Sequence, residues 1–160
     1  MIITTQENWQ TIDLNLLISK AIQDLTFRFA KQNAVVQYQP FYEAVLVYGE
    51  AASLLNVFTN IIDNALKYTS HNPTLAITLR VHHGKVEISF ADNGIGIPVE
   101  YQTKVFEPFF RVPQGKTHDV KGYGLGLSYV SQVLRQHRGS ITVQPNQPCG
   151  SQFSVNLPLV

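Results

Sequence analysis

The sequence predicts an α+β fold: a two-layer α/β sandwich in which three main helices cover one face of a mixed, mostly antiparallel sheet of about five strands. Two observations lead to this prediction. Segments 74–82 and 85–91 alternate apolar and polar residues and meet at His83-Gly84, which indicates a β-hairpin. Three other segments space their apolar residues as helices do. Such hairpins and helices bury their apolar surfaces when the helices pack on the sheet.

The helices are predicted from a cap and from periodicity. Asp13 is a good N-cap for a helix over 13–33, where apolar residues recur at helical spacing. The segment from Glu50 to about Thr69 carries apolar residues over most of its surface, so we expect it to be largely buried. A third helix is expected over 123–138.

The remaining strands are predicted from short β-prone runs. Segments 35–39 and 44–48 flank a turn at Pro40, and we expect both to join the sheet. A last pair of strands is expected near 140–144 and 151–157.

Length and composition restrict the class of protein. The chain has 160 residues, 44% of them hydrophobic, which suits a single domain over 1–160. The formal net charge is +1 and the Lys and Arg residues are scattered, so we expect no nucleic-acid partner. Cys149 is the one cysteine, which excludes an internal disulfide and fits a reducing cytosol. No segment resembles a signal peptide or a membrane span, so we expect a cytoplasmic domain without direct membrane contact, compatible with a longer parent protein anchored in the inner membrane.

A polar cluster lies within NIIDNALKYT, residues 60–69. Asn60, Asn64, Lys67 and Tyr68 are three or four residues apart, which brings them to one face of the helix. An Asn amide in so apolar a helix needs a hydrogen-bonding partner. Magnesium that carries phosphates is one such partner, because it prefers hard oxygen ligands. Hydrogen bonds to neighbouring backbone are an equally good alternative.

A glycine-rich turn, ADNGIGIP at 91–98, follows a β-prone run. Gly94 and Gly96 permit positive φ and the close approach of a ligand, and Asp92 places a carboxylate at the base of the turn. A purine amine would suit that acceptor. For DNG alone, a β-turn closed by an Asx hydrogen bond is the simpler interpretation. The longer motif makes the simpler interpretation less adequate.

Three further glycines, Gly122, Gly124 and Gly126, precede the third helix. Backbone amides at a helix N-terminus attract phosphate. The GxGxG spacing differs from the Rossmann fingerprint, and the sequence contains no GxxxxGK[ST] loop. A nucleotide, if one binds, is therefore held in another way.

An aromatic run lies between these motifs, within residues 105–120. We expect Phe106, Phe109 and Phe110 to anchor the near end of a lid segment, and Arg111 to project a fixed positive charge toward a terminal phosphate. A surface loop held by a hydrophobic clasp is the alternative, and the two interpretations are compatible.

Together and in this order, the motifs resemble the nucleotide-binding boxes of histidine kinases in the GHKL superfamily, which also includes gyrase and MutL-type ATPases. NIIDNALKYT resembles the N box, DNGIGIP the G1 box, FEPFFR the F box, GYGLGL the G2 box, and GSQF at 150–153 the G3 box. The resemblance covers nearly the whole chain and implies the α/β sandwich of the GHKL ATPases.

The resemblance implies a role for each matching residue. Asn64 would coordinate Mg²⁺, Asn60 would support the phosphate site, and Lys67 would contact phosphate. Asp92 would receive the adenine amine, and Arg111 would bind the γ-phosphate. The other matching positions would shape the adenine pocket or the lid that wraps the phosphates: Tyr68, Gly94, Gly96, Ile97, Gly122, Gly124, Leu125, Gly126, Leu127 and Ser151.

Some positions depart from the family pattern. Tyr123 stands where a small Thr or Ser is usual, and Lys121 where Gly is frequent. The phosphoacceptor motif of the family, a His followed by an acidic residue on a dimerising helix hairpin, is absent. We expect the five histidines to be surface residues: His71, His82, His83, His118 and His137.

The resemblance therefore implies the catalytic domain of an ATP-dependent protein-histidine kinase, with ATP and Mg²⁺ as ligands. It would transfer the γ-phosphoryl group to a histidine on a separate dimerisation domain in two-component signal transduction, with a response regulator downstream. The isolated domain is expected to be monomeric and unable to phosphorylate itself. A free-standing GHKL serine kinase or ATPase and a non-catalytic ATP-sensing module are the alternatives. The KYT ending of the N box disfavours the first, and the intact Asn64, Lys67, Asp92 and Arg111 disfavour the second.

Overall fold

The structure, a computed structural model, describes residues 6–69, 72–113 and 126–160. Three short 3-10 turns lie at Gln6–Asn8, Val99–Tyr101 and Lys104–Phe106. The strands and helices follow in chain order: β1 Trp9–Asp13, α1 Leu14–Asp24, α2 Thr26–Gln32, β2 Val35–Tyr38, β3 Leu46–Glu50, α3 Ala51–Lys67, β4 Thr74–His82, β5 Lys85–Asp92, α4 Gly126–Gln136, β6 Ser140–Pro145 and β7 Ser151–Pro158.

Five of the strands form a mixed sheet in the order β2-β4-β5-β7-β6. The β2–β4 pair is parallel and the other three pairs are antiparallel. In β5 and β7, buried residues alternate with partly exposed ones, as expected for a sheet covered on one face. The α+β prediction and the predicted hairpin between β4 and β5 are confirmed.

Helix α3 is the centre of the helical layer, with α1 and α4 as its neighbours. Its seven fully buried residues are apolar: Leu54, Val57, Phe58, Ile61, Ile62, Ala65 and Leu66. Phe58 stacks near Phe90 of β5, with ring centroids 6.1 Å apart, which joins the helical layer to the sheet. The prediction of a largely buried helix is therefore confirmed. The polar residues of α3 lie outside this buried surface.

The predicted helix over 13–33 is wrong in one respect, because it is broken at Leu25 into α1 and α2. Asp13 does cap α1, since its Oδ1 accepts a hydrogen bond from the Asn15 N–H at 3.0 Å. At the break, the Thr26 hydroxyl donates to the Ile22 carbonyl at 3.2 Å. A hydroxyl that bonds back to this carbonyl competes with the helical ladder and bends the chain. Leu25 and Phe29 both remain in the core despite the break.

The prediction that segment 44–48 joins the main sheet is also wrong. Strand β3 pairs antiparallel with β1, from Trp9 opposite Glu50 to Asp13 opposite Leu46, and forms a separate two-stranded sheet. Val47 of β3 and Ile12 of β1 are buried beside the helical layer. This ribbon therefore packs near the beginning of α3.

Candidate nucleotide-binding site

Asp92, the last residue of β5, is a buried carboxylate with only 8% of its surface exposed. Its Oδ1 accepts hydrogen bonds from the backbone N–H groups of Gly94, at 2.9 Å, and Ser151, at 3.0 Å. Among the described residues, no hydrogen bond reaches the second oxygen, Oδ2. Burial raises the pKa of Asp92 from its ordinary value, and the two backbone hydrogen bonds partly oppose that rise. One oxygen is thus fixed by the protein, and within the described ranges the other has no donor.

Two glycines allow this arrangement. Gly150 has φ +97°, and a Cβ at this position would collide with the Asp92 carbonyl. A Cβ on Gly94 would lie 2.7 Å from the Tyr68 carbonyl oxygen. Both positions therefore require the absence of a side chain, because the backbone of the turn approaches its neighbours closely.

The DNG turn is bonded to the chain that follows α3. The Ile95 N–H donates to the Tyr68 carbonyl at 3.0 Å. The Asn93 side chain accepts from the Thr74 N–H at 2.8 Å and donates to the Asn72 carbonyl at 3.2 Å. The Asx hydrogen bond of the simpler interpretation is present, but the same carboxylate also binds the chain at β7. The structure thus brings the end of the first polar cluster and the glycine-rich turn together.

The polar edge of α3 carries Asn60, Asn64 and Lys67. The Asn60 amide donates to the Asn56 carbonyl at 2.7 Å, as the backbone alternative predicts. The Asn64 amide is partly exposed, and no hydrogen bond to it is found in residues 6–69, 72–113 or 126–160. Lys67 forms an ion pair with Asp63, with Nζ 3.2 Å from Oδ2, and Asp63 also contacts Arg28. Asn60 therefore keeps only its Oδ1 without a hydrogen bond in these ranges, whereas both polar atoms of the Asn64 amide lack one.

The N-terminus of α4 meets this edge of α3. Gly126 is the first residue of α4, and a Cβ there would lie 3.2 Å from Asn60 Oδ1. Leu127 packs against the core in a partly buried position. An eleven-residue helix directs the positive end of its dipole toward this edge, which suits phosphate. Gly122, Gly124 and Leu125, together with Lys121 and Tyr123, lie outside the described residues.

The aromatic run packs as a hydrophobic clasp. The Phe106 ring meets the Phe153 ring edge-on, with ring centroids 6.4 Å apart, and the ring centroids of Phe110 and Tyr101 are 5.6 Å apart. The prediction that Phe109 also anchors this segment is wrong, because its side chain is 73% exposed and its φ of +64° turns the chain there. Arg111 follows this clasp at an exposed position, and its contact with a γ-phosphate stays a prediction. Ile97 lies partly buried against the core.

The surface prediction holds for two histidines and is wrong for a third. His82 and His83 are exposed, whereas His137 is 5% exposed and hydrogen-bonded within the fold. Helix packing and a stacked tryptophan bury His137. His71 and His118 lie outside the described residues.

Sequence reasoning missed three residues of the site. Asp63 could have been found from its i,i+4 spacing to Lys67, and Gly150 from its place at the start of GSQF. Asn146, whose amide donates to the Asp92 carbonyl at 2.8 Å, has no local signal. In residues 6–69, 72–113 and 126–160, no group of three or more His, Cys, Asp or Glu residues is arranged to hold a metal ion. No helix in these ranges is long and apolar enough to cross a membrane.

With this geometry established, comparison with known proteins gives the class. The chain belongs to the family of histidine kinase-, DNA gyrase B- and HSP90-like ATPases, whose sequence profile matches residues 49–160. The resemblance drawn from the sequence motifs is confirmed. Within this family, the sequences and structures that the chain resembles are those of sensor histidine kinases and their catalytic domains.

The relatives give the extent of the match. Sensor protein RprX of Bacteroides fragilis is 35% identical over 93% of this chain and 29% of the relative. Sensor histidine kinase RppB of Synechocystis is 33% identical over 98% of this chain and 34% of the relative. The chain thus spans about a third of the length of these curated relatives.

Solved structures of histidine kinases agree with this family assignment. The nucleotide-free catalytic domain of histidine kinase ThkA superposes with a TM-score of 0.82 at 28% identity, covering 94% of this chain and 97% of that domain. The mycobacterial sensor histidine kinase MprB superposes with a TM-score of 0.79 at 28% identity, covering 94% of this chain and 97% of that chain. This chain is therefore similar to such catalytic domains over nearly the full length of both.

Proposed function

We propose that this chain binds Mg-ATP between β5, the end of α3 and the N-terminus of α4, and transfers the γ-phosphoryl group to a histidine on a separate dimerisation domain. The observation that carries the proposal is Asp92, whose Oδ1 is held by two N–H groups while Oδ2 has no partner in the described residues. An adenine amine is a donor of the right kind for that oxygen. A pocket that excludes water strengthens such a hydrogen bond.

The phosphates would lie on the other side of the cleft, at the edge of α3. The Asn64 amide supplies a hard oxygen ligand and lacks a competing hydrogen bond in the described chain, which fits a magnesium ion held mainly by phosphates and water. When bound, magnesium would neutralise charge on the phosphates. Asn60 and the first N–H groups of α4 would position the phosphate chain.

Two cations would contribute to phosphoryl transfer, which depends mainly on positioning and charge stabilisation. Lys67 is held near this edge by Asp63 and would exchange part of that ion pair for a phosphate oxygen. Arg111 would bind the γ-phosphate. Gly122, Gly124 and Leu125 would wrap the phosphates from the lid side. Four further residues would form the walls of the cleft: Tyr68, Gly96, Ile97 and Leu127.

The family of the chain supports the proposed acceptor and downstream partner. The relatives are about three times as long as this chain, which leaves room in them for sensing and dimerisation segments. Histidine kinase ThkA, similar to this chain with a TM-score of 0.79 and 25% identity, has been solved in complex with response regulator TrrA. We infer that phosphate obtained through this chain likewise passes to a response regulator, and that residues 1–160 act as one catalytic domain.

The test is transfer in trans. The chain is mixed with a separately produced dimerisation domain from a sensor kinase and with Mg-ATP, and acid-labile phosphate is measured on the acceptor. Phosphate is expected on the acceptor and not on the chain itself, and Asn64→Asp should reduce the yield. Phosphohistidine on the isolated chain would contradict the requirement for a separate acceptor. Phosphoserine on a partner would favour the serine kinase alternative, and ATP binding without transfer to any acceptor would favour a sensing module.

A further inference from the structure

His137 lies one residue beyond α4 and makes two hydrogen bonds to different elements. Its Nδ1 is 2.8 Å from the Val133 carbonyl oxygen, and its Nε2 is 3.1 Å from the Glu50 backbone nitrogen. A carbonyl can only accept and a backbone N–H can only donate, so Nδ1 carries the proton and Nε2 accepts. The neutral imidazole therefore bonds the end of α4 to the residue that precedes α3.

The surroundings of the imidazole are built to hold it in place. The Trp9 ring of β1 stacks on it, with centroids 4.5 Å apart and an angle of 9° between planes. A Cβ on Gly49 would lie 2.7 Å from Nε2, so the glycine leaves room for the ring. Shielding from water strengthens both hydrogen bonds and makes an unpaired Glu50 N–H costly.

The first residue of α4, Gly126, meets Asn60 in the middle of α3 at the proposed phosphate site. The ten residues from Glu50 to Asn60 rise about 15 Å, and the eleven from Gly126 to His137 rise about 16 Å. The two helices run antiparallel, with His137 beside Glu50 and Gly126 beside Asn60. The spacing between these two contacts is therefore about the same along α3 as along α4. A hydrogen bond at the first point therefore fixes the position of the second.

Apolar packing alone defines the axial register of α4 on α3 poorly. The buried residues of α4 are Val130, Val133 and Leu134, and hydrophobic attraction between helices is non-directional. A directional hydrogen bond penalises sliding of α4 along its axis, whereas apolar packing tolerates such sliding more readily. We propose that His137 is a positioning residue for the phosphate half of the nucleotide site: it sets the axial register of α4 on α3, and hence the placement of the α4 N-terminus beside Asn60.

This inference rests on the proposed function and predicts a selective effect. The adenine half of the site is held by hydrogen bonds from Gly94 and Ser151 to Asp92, and neither residue belongs to α4. A change in the register of α4 should therefore weaken ligands that carry phosphates and spare adenosine. A general loss of stability would weaken both.

Two substitutions of His137 separate the two hydrogen bonds. His137→Gln offers an acceptor near the position of Nε2, whereas His137→Asn offers a donor near Nδ1 and leaves Glu50 unpaired. His82→Gln, at an exposed histidine, is the matched control. Affinities for adenosine and for ATP with magnesium are measured by calorimetry. The Asn variant is expected to lose about tenfold in ATP affinity and less than about twofold in adenosine affinity, with the Gln variant close to the parent.

A nucleotide-free measurement keeps the result independent of the proposed function. In NMR spectra of the apo protein, proton contacts between Gly126 and the Asn60 side chain should persist in the Gln variant and weaken in the Asn variant. Loss of these contacts with selective loss of ATP affinity supports the inference. Equal ATP binding by all variants, or a proportional loss of ATP and adenosine, overturns it. If the parent chain binds neither ligand, the proposed function fails, while the Gly126–Asn60 contacts still decide the role of His137.

Discussion

Asp92→Asn replaces Oδ2, the carboxylate oxygen that has no hydrogen bond in the described part of the chain, and leaves the rest of the turn in place. The retained carbonyl oxygen can keep the hydrogen bonds from Gly94 and Ser151, now 2.9 and 3.0 Å long. The new NH₂ group then replaces Oδ2 and presents a donor to the adenine amine, which is also a donor. Because an unmatched buried donor costs about 1 to 3 kcal/mol, ATP affinity should fall about 5- to 150-fold.

The assay is a calorimetric titration with ATP and with inosine triphosphate, in which a carbonyl oxygen replaces the adenine amine. The parent chain should prefer ATP, and Asp92→Asn should reduce or reverse this preference because its NH₂ group can donate to that carbonyl. Asp24→Asn, at the exposed Lys20–Asp24 pair, is the matched control and should change neither affinity.

The same substitution should not unfold the protein. Burial disfavours the charged form of Asp92 and raises its pKa, so a neutral amide relieves that cost while Oδ1 keeps its partners. The free energy of unfolding in urea should therefore not decrease. An unchanged preference for ATP over inosine triphosphate in a folded variant would refute the assignment of Asp92 to the adenine amine.

Three further predictions address the pH dependence, the metal and the glycine. Burial raises the pKa of Asp92 above its ordinary value of 3.8. As the pH falls, the native state therefore binds this proton at a higher pH than the unfolded chain does. The contribution of Asp92 to stability consequently falls as the pH rises through the raised pKa. Adenosine affinity, which needs the ionised carboxylate, should rise over the same interval in calorimetric titrations, and a flat profile would contradict this. Asn64→Asp should change the magnesium dependence of ATP affinity by about tenfold and leave adenosine affinity unchanged; an equal effect on both would exclude the metal role. Gly150→Ala should destabilise the fold by more than about 2 kcal/mol in urea unfolding, because its Cβ would collide with the Asp92 carbonyl. Gly84→Ala, at a positive φ with open space around the Cβ, is the control and should cost about 1 kcal/mol; equal costs would show that the collision is not decisive.

Local patterns predicted the parts of the fold that local forces determine. The β4–β5 hairpin follows from alternation around His83-Gly84, and α3 follows from its apolar surface. The two proposed edges of the candidate site, Asn64 and Asp92, could be singled out because each stands in an unusual setting for a polar residue: an apolar helix and the end of a buried strand.

Long-range contacts account for what the sequence did not predict. Strand β1, with the sequence WQTID, has weak alternation of its own and exists because it pairs with β3. The burial of His137 depends on Trp9 and on Glu50, which is 87 residues away in sequence. The break at Leu25 depends on a hydroxyl hydrogen bond that helix periodicity does not reveal. Pairing between distant segments leaves no periodic signal in either segment.

The proposed function requires one cleft that binds the purine at Asp92 and the phosphates at Asn60, Asn64 and the start of α4. An NMR titration of the uniformly ¹⁵N-labelled chain with adenosine, and then with ATP and magnesium, tests it directly. Adenosine should shift the backbone signals of Gly94 and Ser151 alone, and Mg-ATP should additionally shift Gly126 and the side-chain amides of Asn60 and Asn64. Signals that stay unchanged in a folded sample, or shifts confined to residues remote from both groups, would contradict the claim.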